Sequence, residues 1–390
     1  MRNWVLPEYI EDILPTEAQR IESMRRQILD LLVVHGYQLV VPPMLEFVES
    51  LTSGSGSDMN LRMFKMVDQL SGRMIGLRPD ITPQTARIDA HLLNCNGITR
   101  LCYAGSVLHT IPTGIAGTRE PFQIGAELYG HIGLESDLEI QRLMLQILAM
   151  FRIDKIHLDL GHVAVFRGLV RAAKIPENLE IDLFNALQAK DIPSLKTLCS
   201  GFNKGIRNKV GQALMLLPKL YGDKKILTQA RNILPNHPEI IKALDELETV
   251  AKEFKSTECS LAFDLSDLRG YHYHTGIVFS AYTKNHPNAI SLGGRYDEIG
   301  KAFGRARPAT GFSIDLRELS KLNQQPYPYP KGILAPYRKN DKLLDKKIAQ
   351  LRKQGKIVVV KLPRQSKNKD TYNCDKKLIL KNKVWKIATI

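Results

Sequence analysis

Cysteine is scarce and lacks pairing patterns. The five residues (Cys95, Cys102, Cys199, Cys259 and Cys374) are odd in number, scattered, and form no C-x-x-C, which supports neither a disulfide framework nor a zinc knuckle and predicts reduced, buried thiols. No apolar run approaches the roughly 20 residues that span a bilayer. The stretch Met1 to Glu8 breaks into proline and acid before a signal-peptide core could form. A soluble, cytoplasmic protein with no membrane partner is expected. Phosphate-cradling glycine loops are missing too: there is no G-x-x-x-x-G-K-[ST] and no G-x-G-x-x-G, which disfavours a P-loop or a dinucleotide fold. His272 and His274 are spaced to share one face of an expected strand. No third ligand follows at suitable spacing, so no metal site is assigned. No internal repeat is visible, and no cofactor is implied.

What is present is a 390-residue chain, 44% hydrophobic and 24% charged, with enough apolar material for a sizeable core and two or three domains. Its net charge of +15 is localised. Residues 321 to 390 hold 19 lysines and arginines against 4 acids, whereas the remainder balances at 36 of each sign. With few aromatic residues against 19 basic ones, this tail reads as a solvated face rather than a nucleic-acid surface.

Thr16 and Gln19 have capping-box spacing, and Ile21, Met24, Ile28, Leu31 and Leu32 then recur at helical intervals up to Gly36. Tyr37 to Val41 reads as a strand stopped by Pro42-Pro43, and Ser71-Gly72 as a hairpin turn between Met63 to Val67 and Met74 to Leu77. Strands are expected at Leu101 to Leu108, Pro121 to Tyr129 and Lys155 to Leu160, with a helix from Ser136 to Phe151. From Ile175 to Phe254 the pattern is helical, and strands resume at Ser260 to Asp264, Tyr273 to Tyr282, Ala289 to Leu292 and Gly311 to Ile314. Gln324 and Gln325 precede a run in which proline alternates with Tyr327 and Tyr329, a stiff linker followed by a small β-α-β unit. The expected class is α+β, a mostly antiparallel sheet flanked by helices. The expected domains are a core of 1–174 and 255–320, a helical insertion of 175–254, a linker of 321–330 and a small basic unit of 331–390.

Four segments resemble one family. Leu77-Arg78-Pro79-Asp80-Ile81-Thr82 is similar to the L-R-P-E-x-T element of histidyl-tRNA synthetases, and Arg100 to Gly130 to their motif 2. Leu268 to Gly276 resembles their R-G-L-D-Y-Y element, and Leu292 to Asp297 their G-G-R-Y-D element. Gly36 through Pro43 fits motif 1, the dimer-interface unit of class II synthetases, so the resemblance implies that fold and a homodimer through motif 1. It also implies a pocket for L-histidine. Asp80, Thr82 and Gln123 would hold the α-amino group, Glu127 the imidazole, Tyr273 the ring, and Arg119 and Arg269 the carboxylate. Taken singly, Gln123 with Glu127 reads as a buried polar pair and Asp80 with Thr82 as a helix cap; the ordered set carries the functional reading.

The nucleotide half departs from the family. His109 and Ile111 stand where motif 2 has its phosphate-gripping arginine and a glutamate. In motif 3 Asp315 replaces a glycine, and Glu318 stands in place of the arginine. Losing one charge-assisted arginine contact to a transferring phosphate costs on the order of 2 to 5 kcal/mol. The tail is too short for a full anticodon-binding domain. These departures resemble the family of ATP phosphoribosyltransferase regulatory subunits, which implies no catalytic residues and a short-form catalytic subunit as partner. It further implies feedback by histidine. A divergent working synthetase or amino-acid ligase, and a histidine-sensing module for an unrelated partner, are the alternatives.

Overall fold

The computed structural model describes residues 4–53, 57–112, 117–202, 204–254, 259–323, 330–363 and 373–390. Helix α1 (Pro15–Val34) leads through β1 (Gln38–Leu39) and β2 (Leu45–Phe47) to the short helices α2 (Val48–Thr52) and α3 (Ser57–Arg62), then to the hairpin of β3 (Lys65–Val67) and β4 (Met74–Leu77). Next, α4 (Thr82–Arg87) passes into a π-helical stretch at Ile88–Leu93, followed by β5 (Thr99–Ser106), β6 (Phe122–Tyr129), α5 (Leu134–Met150), β7 (His157–His162) and α6 (Val163–Ala173). The expected insertion contains α7 (Glu177–Gln188), α8 (Ile192–Cys199), α9 (Gly205–Leu216), the two-residue β8 (Tyr221–Gly222), α10 (Lys225–Ile233) and α11 (Pro238–Glu253). Strands β9 (Ser260–Asp264), β10 (Ile277–Tyr282), β11 (Ser291–Arg295) and β12 (Ala309–Asp315) then complete the sheet before α12 (Leu316–Leu322).

Among the described residues one sheet has nine strands in the order β1-β5-β6-β12-β11-β10-β7-β9-β8. Only β1 with β5 and β7 with β9 pair in parallel; the other neighbours are antiparallel. The fold is α+β, a mostly antiparallel sheet flanked by helices. Helix α1 buries Ile21, Met24, Ile28 and Leu32, one stripe at intervals of three to four residues, in the same core as Cys102 and Ile124. That core continues through the insertion, where Leu183, Leu214 and Leu247 are fully enclosed. Among the described residues no helix is long and apolar enough to cross a membrane.

The chain divides into two compact units, Met1–Gln325 and Pro326–Ile390. In the second, β13 (Gly332–Ala335), α13 (Lys342–Lys353), β14 (Val358–Val360), β15 (Cys374–Lys381) and β16 (Val384–Thr389) give a sheet ordered β14-β13-β15-β16. Its core gathers Ile333, Leu344, Ile348, Leu351, Leu378 and Trp385. Residues 324–329 of the expected linker lie outside the described residues.

Several local expectations are corrected. The capping box at Thr16 does not form: Pro15, whose ring presets a helical φ, starts the helix, Leu14 is its N-cap, and no side chain caps it. The strand expected to start at Tyr273 begins instead at Ile277. Gly270, at φ +63°, turns the chain so that the amides of Tyr273 and His274 both donate to its carbonyl, at 2.9 and 2.7 Å. His272 and His274 therefore sit on a turn, not on a strand face. The strand at Tyr37 to Val41 shrinks to Gln38–Leu39. Of the thiols, Cys102 is buried in the sheet, whereas Cys95 is exposed.

Candidate functional site

A cavity of about 430 Å³ opens over the middle of the large sheet, walled by the 267–274 turn, the Pro79–Thr82 segment, β6, β11 and β12. Glu127 of β6 lies at its floor, and its register partner on β12 is Gly311. A Cβ at position 311 would overlap Glu127 Oε2, so this glycine is what admits the carboxyl group. Thr82 Oγ1 and Tyr103 OH donate to Glu127 Oε1 at 3.0 and 3.2 Å, and Tyr296 OH donates to Oε2.

Burial pushes the Glu127 carboxyl up to about 8, even though the hydroxyls of Tyr296, Thr82 and Tyr103 favour the ionised form. The consequence has a definite sign. The unfolded chain ionises this group near pH 4.5 and the folded chain only near 8, so Glu127 reduces stability progressively as pH rises between those values. Urea unfolding of wild type and Glu127→Gln across roughly pH 5 to 8 should show wild type losing ground to the variant as pH rises; parallel curves would contradict the assignment.

Asp80 and Gln123 form the next layer. Asp80 Oδ1 accepts from the Thr82 amide at 3.1 Å and from Gln123 Nε2 at 2.8 Å, while Gln123 Oε1 accepts from the Ile81 amide at 3.0 Å. The local turn and the interstrand polar link are thus one network, which ties the start of α4 to β6. Tyr273 stands on the wall, its ring 4.1 Å from that of His274 and 6.2 Å from that of Tyr296. Burial pushes the His274 imidazole down to about 4, leaving it neutral, and its Nδ1 lies 3.1 Å from the Arg269 carbonyl, which fixes the proton on that nitrogen.

Arg269 reaches the wall already engaged. Its Nε and Nη2 donate to Asp267 Oδ1 and Oδ2 at 2.9 and 2.6 Å, and Nη1 donates to Tyr282 OH at 3.0 Å. Burial opposes ionisation of Asp267, but the paired guanidinium outweighs it and holds the carboxyl below its ordinary range. Arg119 is not brought to the cavity. It donates to the carbonyls of His109 and Glu8 at 3.2 and 3.5 Å and lies over the Phe64 ring, while Arg62 of α3 lines the wall.

At the motif 3 end the lining is acidic. Asp315 caps α12, accepting from the Arg317 amide at 3.0 Å, and burial lifts its carboxyl to about 6. Glu318 also lines the cavity and pairs with Lys321 at 2.9 Å. The neighbouring Arg317 is buried, with Nη1 donating to the Glu120 carbonyl and Nη2 to Glu11, both at 3.0 Å. His109 is buried with Nε2 2.9 Å from the Pro79 carbonyl, and burial lowers its affinity for a second proton. Ile111 is exposed.

Tyr103, Tyr296 and Asp267 belong to the site but were not among the residues expected from sequence. Tyr296 lies within the G-G-R-Y-D-like element, yet no spacing in the sequence aims its hydroxyl at Glu127. Phe184 and Gln188 of α7 also line the cavity, which no local pattern could announce.

Fold and pocket together define a histidyl-tRNA synthetase-like chain. Residues 9–319 match the family model described as Histidyl-tRNA synthetase, and residues 330–388 match that of the ATP phosphoribosyltransferase subunit HisZ C-terminal domain. A solved structure described as an ATP phosphoribosyltransferase regulatory subunit/histidyl-tRNA synthetase from Bacillus halodurans C superposes with a TM-score of 0.79 at 24% identity, covering 94% of this chain and 95% of that one. Histidyl-tRNA synthetase from Nostoc sp. PCC 7120 gives 0.75 at 20% identity, covering 97% and 92%. Among sequence relatives, the ATP phosphoribosyltransferase regulatory subunit of Nitrosospira multiformis is 65% identical over 388 residues, covering 100% of this chain and 98% of its own. That of Nitrosomonas eutropha is 60% identical over 390 residues, with full coverage of both. The chain belongs to the family of ATP phosphoribosyltransferase regulatory subunits.

Proposed function

We propose that this chain is the non-catalytic regulatory subunit of ATP phosphoribosyltransferase, required for the first step of histidine biosynthesis and mediating feedback by histidine. Its partner is a short-form catalytic subunit that joins ATP and phosphoribosyl pyrophosphate. L-histidine is the ligand of the cavity, held by Asp80, Thr82, Gln123, Glu127, Arg269 and Tyr273, with Arg62 rather than Arg119 as the further positive charge on the wall. One observation carries this reading. The amino-acid half is an intact polar network, whereas the positions of the triphosphate clamp hold a neutral buried imidazole, an exposed isoleucine and two carboxyl groups. Adenylate formation needs fixed positive charge there, and carboxylates repel polyphosphate instead. Feedback follows if histidine binds the active and inactive assemblies with different free energies, typically by about 1 to 3 kcal/mol.

Mixing the pure chain with a short-form phosphoribosyltransferase should generate turnover that added histidine suppresses. The chain alone should give no histidine-dependent pyrophosphate exchange with ATP; clear exchange would return it to the synthetases. We also infer a homodimer through motif 1, supported by Val34 and Val41, which are 79% and 82% exposed beside β1. Val41→Asp should shift the sedimentation coefficient toward that of a single chain, and an unchanged value would refute this interface.

A further inference from the structure

The turn that carries Arg269, Tyr273 and His274 is not held by the sheet alone. Its middle residue, Tyr271, is buried, and its hydroxyl donates to Glu180 Oε1 of α7 at 2.6 Å. The Tyr271 ring stacks on Phe184 of the same helix, with centroids 5.3 Å apart at 27°, and meets Phe166 of α6 edge-on at 5.2 Å. Arg167 donates to the Tyr271 carbonyl at 2.8 Å and places its guanidinium over the ring. His272 packs edge-on against Phe184 at 5.0 Å.

On the other side of this residue the turn has no slack. A Cβ on Gly270 would lie 2.5 Å from His274 Nδ1 and 2.7 Å from Tyr273 Cε1, and the amides of both residues bond back to the Gly270 carbonyl. A displacement of Tyr271 is therefore transmitted to Tyr273, whose ring faces the cavity. Phe184 lines that cavity itself, whereas Glu180 does not.

We propose that Glu180 is a positioning residue for the ligand pocket, acting through Tyr271, and that α7 is the element by which the helical insertion registers whether the pocket is filled. This rests on the histidine reading given above and adds the route by which occupancy leaves the site. A bound imidazole fixes Tyr273, the closed turn fixes Tyr271, and the stacked Phe184 with the bonded Glu180 fixes α7. Ordering of a helix that borders the cavity and is bonded to its wall through Tyr271 is a free-energy coupling that exchange rates can read.

The test is calorimetric titration of the complete chain with L-histidine, comparing wild type, Glu180→Ala and Glu180→Gln. It is accompanied by amide hydrogen exchange of residues 177–188 with and without saturating ligand. Losing a charged acceptor should weaken binding roughly tenfold in Glu180→Ala. Glutamine, which keeps an acceptor oxygen, should restore most of it, and helical content should stay unchanged by circular dichroism. Wild-type α7 amides should exchange more slowly when histidine is bound. Full affinity in a folded Glu180→Ala chain, or saturation with no change in α7 exchange, overturns the inference while leaving the histidine pocket standing. If Glu180→Ala does not fold, the wild-type exchange decides. An absence of any binding by wild type overturns the pocket reading, and this inference with it.

Discussion

Arg295→Met should lower the unfolding free energy by about 3 to 5 kcal/mol, among the largest losses available to a single substitution here. Arg295 is buried at the end of β11, and its guanidinium serves several groups at once. Nε and Nη2 donate to Asp137 Oδ2 at 3.0 and 2.7 Å, Nη2 also to the Gly133 carbonyl at 3.0 Å and to Ser136 Oγ at 2.8 Å, and Nη1 to the His131 carbonyl and Asp297 Oδ1, both at 3.2 Å. Methionine replaces the volume and none of the donors. Asp137 would be left enclosed in α5, where burial already raises its carboxyl against the pull of Arg295. The urea midpoint should fall steeply, and Asp137→Asn in the same chain should recover part of the loss because an amide buries without charge. A change below about 1 kcal/mol, the range of exposed pairs, would mean that the clamp is solvated.

The same residue shows what the sequence could and could not disclose. Leu292 to Asp297 resembles a single family element, but two adjacent side chains in it do different work: Arg295 ties α5 to the sheet, and Tyr296 donates to Glu127. Periodicity reported the α+β class, because alternation in Phe122–Tyr129 and the roughly 3.6-residue stripe of Pro15–Val34 each reflect which face meets the core. Motif order reported the pocket, since the Asp80, Thr82, Gln123 and Glu127 network needs those residue types at those places. Long polar side chains were not legible. Arg119 and Arg317 took carbonyl and carboxylate partners distant in sequence, Glu8 and Glu11 among them, and no local spacing encodes such a partner. The turn at 270–274 was hidden for a related reason. A run of aromatic and β-branched residues from Tyr271 to Val278 has strand propensity for most of its length, and only the positive φ at Gly270 and the rings of Phe166 and Phe184 decide where the strand begins.

Gly311→Ala should abolish binding of L-histidine, an affinity loss of about 100-fold or more, while the chain still folds. The added methyl would occupy the position of Glu127 Oε2 and come within 2.7 Å of the Ala126 carbonyl, so the carboxyl must leave its place. Its departure would cost the hydroxyl bonds from Thr82, Tyr103 and Tyr296, each worth about 1 kcal/mol, and the overpacked strand pair roughly a further 1 to 3 kcal/mol. Calorimetric titration measures the first effect and urea unfolding the second. A second substitution separates the two. In Gly311→Ala with Glu127→Ala the overlap with the carboxyl is gone and only the close approach to the Ala126 carbonyl remains, so the double variant should be more stable than the sum of the single changes allows, a coupling expected only of residues in contact. Its affinity for histidine should nonetheless stay lost, because the carboxyl that meets the imidazole is absent. Wild-type affinity in Gly311→Ala would show that the Glu127 carboxyl lies elsewhere when the pocket is filled, and additive stabilities in the double variant would show that the two strands do not press on each other at this point.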